Sequence, residues 1–199
     1  MPTPSSGAKP KVLRCSRCGK FVDWEDARLQ IICGCRPRLD LPEVLVRAGT
    51  EDDRPAVLRL FERDFGRTRL VTFGEELHLE TMSTVVADSE GEIAGALAFR
   101  ERREALHIVA LATDPLWQRS GVGGHLVAEA ELIARQRELT RVLVATTNDN
   151  LPSLYFYQRK GYRITAILPE AMAGAKGKEP SIGFGGIPIR DEIHLAKAL

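Results

Sequence analysis

Thirteen residues, Ala112 to Gly124, carry the densest chemical pattern in this 199-residue sequence. An apolar run stops at Asp114-Pro115, and Gln118-Arg119-Ser120-Gly121-Val122-Gly123-Gly124 follows. Glycines let the backbone approach a ligand with no Cβ in the way. The open amides at a helix N-terminus, helped by the helix dipole, attract an anion such as a pyrophosphate. The dinucleotide fingerprint G-x-G-x-x-G needs glycine where Leu126 stands, and a P-loop needs a Gly-Lys-Ser/Thr that this turn lacks. A helix that merely begins at a glycine turn is the plainer alternative.

A second chemical cluster lies far upstream. All four cysteines fall within Cys15-x-x-Cys18 and Cys33-x-Cys35, with fourteen residues between the pairs. That is close to the C-x2-C, spacer, C-x2-C pattern of a zinc ribbon, one residue short in the second pair. Gly19 and Gly34 stand beside the pairs, where they permit the tight turns that aim two thiolates at one metal. In a reducing compartment four clustered thiols favour zinc over disulfides. A redox pair or a metal-free loop is the competing reading. Four thiolates leave no open coordination position, so such a zinc is structural and not catalytic.

These residues need elements to hold them. Residues 1–11, rich in Pro, Ser and Lys, read as a disordered tail. Residues 12–41 contain only short apolar pieces, Phe21-Val22 and Leu29 to Ile32, too little for a core without a metal staple. Residues 42–199 carry the pattern of one α/β domain. Val44 to Arg47 reads as a strand, and Thr50 as the N-cap of a helix reaching Phe65 that buries Ala56, Leu60, Phe61 and Phe65. Phe73 to Met82 is expected to form a second, shorter helix. Thr84 to Ala87 and Ile93 to Phe99 flank the polar turn Asp88 to Glu92 and predict a hairpin.

Leu106 to Thr113 is a buried strand, followed by a helix from Gly121 or Val122 to about Glu138. Val122, Leu126, Ala130 and Ile133 share its apolar stripe, and Glu131 precedes Arg135 by four residues, the spacing of a surface ion pair. Val142 to Thr146, Tyr162 to Leu168 and Ile193 to Ala196 read as strands, and Asn150 to Lys160 as a short helix closed by Gly161. The glycine-rich stretch 171–188 is expected to be a long mobile loop.

Two stretches together resemble a known family. Gln118-Arg119-Ser120-Gly121-Val122-Gly123, preceded by a buried strand ending in Asp-Pro, is similar to the Q/R-x-x-G-x-G/A turn of the GNAT acetyltransferase superfamily. Asn150 opening a short helix, with Tyr157 four residues before Gly161-Tyr162, resembles that family's second signature. The closing Gly186-Ile187-Pro188-Ile189-Arg190-Asp191-Glu192-Ile193 is similar to the tails of bacterial members. The resemblance covers about Val44 to Leu199. It implies an α/β fold with a mixed, splayed central sheet, preceded here by the zinc-ribbon-like module.

The resemblance also implies a chemistry. Acetyl-CoA would wedge between the strands at Leu106 to Thr113 and Val142 to Thr146. The backbone of Leu111, Ala112 and Thr113 would pair with its pantetheine arm. Gln118, Arg119, Ser120, Gly121, Val122, Gly123 and Gly124 would cradle its pyrophosphate. Asn150 would contact the cofactor near the thioester, and Tyr157 would protonate the departing thiolate. A phenol of pKa about 10 suits donation to a thiolate of pKa near 8.5. The amine attacks directly, with the carbonyl oxygen's charge held by a strand amide. Some members carry a glutamate as base where this chain has Ala145. That departure leaves the base open, with His107 and Glu104 as candidates and a structural role as the alternative for His107.

Composition narrows the partners. Lysine and arginine total 28 against 27 acidic residues, a net charge of +1, which gives no overall case for nucleic acid or a membrane surface. No apolar run reaches the roughly 18 residues of a membrane span, and the first residues lack the apolar core of a secretory signal, so a cytoplasmic protein is expected. The basic residues around the cysteines make a protein partner of the zinc module as reasonable as nucleic acid. The function expected is acetyl transfer to a primary amine. A silent acetyl-CoA sensor and a zinc-led binding module remain as alternatives.

Overall fold

Alternating apolar residues in the strands and apolar stripes on the helices build one layered sheet. The computed structural model describes residues 41–172 and 179–199, together with the backbone of Leu13–Arg14 and Phe21–Val22. The chain divides into two units, Met1–Pro37 and Arg38–Leu199. In the first, β1 (Leu13–Arg14) pairs antiparallel with β2 (Phe21–Val22), Leu13 facing Val22 and Arg14 facing Phe21. The readings of residues 1–11 as a tail and of Cys15, Cys18, Cys33 and Cys35 as metal ligands lie outside the described residues.

The second unit runs β3 (Leu45–Ala48), α1 (Arg54–Phe65), β4 (Arg69–Thr72), β5 (Glu75–His78), β6 (Ser83–Ser89), β7 (Glu92–Arg102) and β8 (Ala105–Thr113). It continues through α2 (Val122–Gln136), β9 (Arg141–Thr147), α3 (Leu151–Arg159), β10 (Arg163–Leu168) and β11 (Glu192–Ala198). Seven strands form a sheet in the order β10-β11-β9-β8-β7-β6-β3, and β4 and β5 form a separate hairpin. Every neighbouring pair in the sheet is antiparallel except β8 and β9, which run parallel.

Period-two alternation sends successive residues to opposite faces, and both faces are covered. On one, Val85, Ala87, Leu97, Phe99, Leu106 and Ile108 pack with Val122, Leu126, Val127, Ala130 and Ala134 of α2 and Tyr157 of α3. On the other, Val86, Ala96, Ala98, Ala110 and Ala112 pack with Val57, Leu60 and Phe61 of α1. Phe61 and Leu126 are each 0% exposed, and a fully buried side chain of this size contributes about 1.5–3 kcal/mol.

Four expectations need correction. Residues 73–82 form no α-helix: Phe73 and Gly74 turn a hairpin with φ of 54° and 72°, and only a 3-10 helix of one turn follows at Leu79–Thr81. Both central residues being left-handed gives the strand-compatible type I′ twist. Thr50 does not cap α1. Its amide and hydroxyl both donate to Asp53 Oδ2 at 2.8 Å, and the N-cap is Asp53, with Pro55 in the first turn. Val57 takes the core position expected of Ala56. Glu131 is buried and pairs with Lys197 of β11 at 2.7 Å, not with Arg135 on the surface.

Candidate active site

The parallel pair at the centre of the sheet is short. Ala105, Leu106, His107 and Ile108 of β8 face Arg141, Val142, Leu143 and Val144 of β9, and the pairing stops there. Both strands continue, β8 to Thr113 and β9 to Thr147. A register shift between Ala98 and Phe99 of β7 leaves Val109 without a partner on that strand, a bulge that turns β8 at the parting point. Backbone groups of β8 beyond Ile108 that point toward β9 therefore lack a ladder partner, in a place where a ligand with amides and carbonyls satisfies them. Leu111, Ala112 and Thr113 lie on this stretch.

At the open end stands the glycine turn. Trp117 and Gln118 amides donate to the Asp114 carbonyl at 2.8 and 3.0 Å, which folds the chain back toward α2. Arg119 has φ of 69°, and Gly121, the N-cap of α2, has φ of 101°. The Gly121 carbonyl accepts from Gly124 and His125 at 2.8 and 3.1 Å. The amides of Gly121, Val122 and Gly123 precede the first intrahelical bond and, among the described residues, donate to nothing. They form an anion cradle at the positive end of a fifteen-residue helix. Ser120 Oγ turns back to the Trp117 carbonyl, and the Gln118 side-chain amide donates to the Thr113 carbonyl at 3.4 Å.

Glycine has separate reasons here. A Cβ on Gly95 of β7 would stand 2.8 Å from Val122 and 3.1 Å from the Ala112 carbonyl, so its absence lets α2 seat on the sheet. A Cβ on Gly123 would find only ordinary contacts, 3.6 Å to Thr113 and 3.8 Å to Phe156, so packing of the fold does not demand glycine there.

The α3 helix borders the same cleft. Asn150 is its N-cap, its side chain accepting from the Ser153 amide at 3.1 Å. Tyr157 is 3% exposed, with ring centroids 5.0 Å from Phe156 and 5.3 Å from Tyr162 in edge-on contact. Burial raises its phenol above the ordinary value, so it stays protonated. Lys160, at the C-cap of α3, reaches back so that its ammonium lies 3.5 Å from the Gly124 carbonyl.

On the sheet face away from α2, a group forms that sequence reasoning missed apart from His107. His107 is 9% exposed, and its Nδ1 is buried with no hydrogen-bond partner. Burial first, and then the Arg100 charge on the neighbouring strand, lowers its pKa to about 4, so it is neutral at pH 7 and a weak proton acceptor. Phe73, at the hairpin tip, packs against both His107 and His194, with ring centroids 4.5 and 4.9 Å away. The Phe73 amide donates to Glu192 Oε1 at 2.9 Å. Arg100 is held by Glu75 of the hairpin at 2.6 Å.

The loop into β11 is anchored beside this group. Asn148 Oδ1 accepts from the Arg190 and Asp191 amides at 2.9 and 3.0 Å, and Asn148 Nδ2 donates to the Pro188 carbonyl at 3.0 Å. Asp149 Oδ2 accepts from the Phe184 amide at 2.9 Å. The described residues 179–188 of the glycine-rich stretch thus carry hydrogen bonds to Asn148 and Asp149. Its sequence signal was available in Asn148-Asp149, two side chains suited to holding backbone amides.

An α/β domain whose central parallel strands part beside a glycine-turned helix N-terminus offers unpaired strand backbone and open helix amides at one cleft. The chain belongs to the acetyltransferase (GNAT) family, whose model matches residues 53–162. It is 32% identical over 126 residues to blasticidin-S acetyltransferase of Streptomyces morookaense, covering 62% of this chain and 85% of that protein. Among solved structures, IAA acetyltransferase from Bacillus cereus superposes with a TM-score of 0.61 at 25% identity, over 79% of this chain and 100% of that one. A Bacillus subtilis acetyltransferase in complex with CoA shares the fold with a TM-score of 0.61 at 23% identity, over 79% and 99% of the two chains. The protein is an acetyl-CoA-dependent N-acetyltransferase. Among the described residues no helix is long and apolar enough to cross a membrane.

Proposed function

We propose that this chain moves the acetyl group of acetyl-CoA to the primary amine of a small molecule or a protein, within the cleft where β8 and β9 part. The observation that carries the reading is the end of parallel pairing at Ile108 and Val144, with the open amides of α2 at the same mouth. Leu111, Ala112 and Thr113 would hold the pantetheine arm through their backbone. Gln118 to Gly124 would hold the pyrophosphate, and Asn150, besides capping α3, lies at the edge of the cofactor. Tyr157 would return a proton to the departing thiolate. Burial raises its phenol above the ordinary value, so the hydroxyl carries the proton that the thiolate would take.

The test is transfer of isotopically labelled acetyl from acetyl-CoA, with purified protein incubated in fractionated cell extract and the label followed by mass spectrometry. Label on a small amine identifies a metabolite or drug acceptor, and label on peptide N-termini or lysines identifies a protein acceptor. Tight acetyl-CoA binding with no enzyme-dependent label would overturn the transferase reading in favour of a sensor.

The proposal includes one structural zinc on Cys15, Cys18, Cys33 and Cys35. Its support is the sequence pattern, Cys15-x-x-Cys18 and Cys33-x-Cys35 with fourteen residues between the pairs, close to that of a zinc ribbon. Such a module offers a docking surface for a protein partner. Metal analysis is expected to find one zinc per chain, lost when Cys15 and Cys18 are replaced; metal-free folded protein would refute it.

A further inference from the structure

A primary alkylamine has a pKa of about 10.4 and arrives as an ammonium, so the site needs a group that takes its first proton. Ala145 supplies none. Yet Ala145 is the first residue of β9 past the last β8–β9 pair, and the register of β9 with β11 sets His194 directly opposite it. Side chains directly opposite in an antiparallel pair have Cβ atoms about 4.5–5.5 Å apart and share a face. The side chain of His194 therefore shares a sheet face with the small side chain of Ala145, one strand from the parting point.

Its second ring nitrogen is held. His194 Nε2 lies 2.5 Å from Glu192 Oε1, the same oxygen that accepts from the Phe73 amide. Glu192 is 4% exposed, so this carboxylate is fixed from two sides. A carboxylate only accepts, so in the neutral imidazole Nε2 is the nitrogen that carries the hydrogen and Nδ1 the one with the lone pair. An imidazole oriented through one nitrogen by a buried carboxylate is the arrangement that proton abstraction at the other nitrogen needs.

Resting on the acetyl-transfer reading above, we propose that His194 is the general base of this enzyme and Glu192 its positioning residue. Nδ1 of His194 takes one proton from the ammonium and passes it to solvent. The neutral amine attacks the thioester carbonyl, forming the C–N bond. Collapse breaks the C–S bond, Tyr157 protonates the thiolate, and the second proton lost by nitrogen restores Tyr157, so one acetyl moves and one proton is released. The charged and titratable groups around His194 are Glu192 on its own strand, His107 on β8, and Arg100 on β7 paired with Glu75 of the hairpin.

Two measurements on the full chain decide it. In the imidazole 1H–15N spectrum at pH 8, the His194 signal, assigned by its loss in His194→Gln, is expected to be the Nε2–H tautomer and to shift in Glu192→Gln. The Nδ1–H tautomer would overturn the proposal whatever the acceptor. In turnover, with ethanolamine, putrescine and lysine as probes, His194→Gln is expected to lower kcat at pH 7 about 100-fold or more. That deficit shrinks by about tenfold per pH unit toward pH 9.5, as solution supplies the neutral amine. A deficit independent of pH would mark a structural role and defeat the assignment. Acetyl-CoA affinity, measured by calorimetry, is expected to be unchanged in His194→Gln; its absence in the unaltered protein would instead defeat the cofactor-site reading.

Discussion

Tyr157 is surrounded by Phe156 and Tyr162, so replacing it with phenylalanine keeps the aromatic packing and removes one oxygen. Tyr157→Phe is expected to lower kcat about 100-fold, in the range for loss of one general acid, while acetyl-CoA affinity measured by calorimetry changes less than twofold. Equal turnover would remove the acid role. The helix that Asn150 opens and that carries Tyr157 was legible in the sequence because its signals are local: an N-cap bonding three residues on and a closing glycine four residues past Tyr157. Glu192 with His194 was not legible as a site. Those two are neighbours on one strand face, which sequence alternation gives, but their meeting with Ala145, Phe73 and His107 depends on register and on a hairpin some 120 residues upstream. Glu131 failed for the same reason: a helical spacing offered Arg135, while the fold delivered Lys197.

Elements set where the amides of Gly121, Val122 and Gly123 point, and two glycines test this from opposite directions. A Cβ on Gly123 meets only ordinary contacts, so Gly123→Trp is expected to keep the far-ultraviolet circular dichroism spectrum of the fold and to abolish acetyl-CoA binding by calorimetry. Unchanged affinity would sink the pyrophosphate assignment. Gly95 faces α2, so Gly95→Ala must push Val122 or the Ala112 carbonyl aside. Overpacking of this kind costs about 1–3 kcal/mol, and a urea titration is expected to show that loss together with weaker cofactor binding as the helix N-terminus shifts. The helix and its turn were legible because glycine, periodicity and a preceding apolar run agree. Phe73 to Met82 was read as helix because the turn of the hairpin Arg69–His78 is Phe73-Gly74, not the usual Asn-Gly or Asp-Gly. A left-handed phenylalanine costs about 1–2 kcal/mol. The ring's packing against His107 and His194 offsets that cost, and only the folded sheet supplies it.

At the scale of the whole molecule, two groups make stability fall with acid, each in its own window. His107 has its pKa lowered from 6.5 to about 4, by burial first and then by Arg100. The unfolded chain then binds more protons than the folded one between those values, so stability falls as pH drops from 6.5 toward 4. Below that, Arg47 takes over. It bonds Asp53 at 2.6 and 2.9 Å and Asp88 at 2.7 Å, tying edge strand β3 to α1 and to β6. Hydrogen bonding from Arg47 holds both carboxyls below the ordinary value. Their contribution is complete above the unfolded carboxylate value of about 3.9 and is lost as pH falls through the folded values. Urea midpoints measured from pH 8 to pH 2.5 are therefore expected to decline in two stages. His107→Gln should flatten the upper stage and spare the lower, and Arg47→Leu should do the reverse. Because His107 lies under the hairpin and Arg47 at the far edge of the sheet, the two effects are expected to add in the double variant. A single unchanged decline in both variants would show that neither contact couples folding to protons.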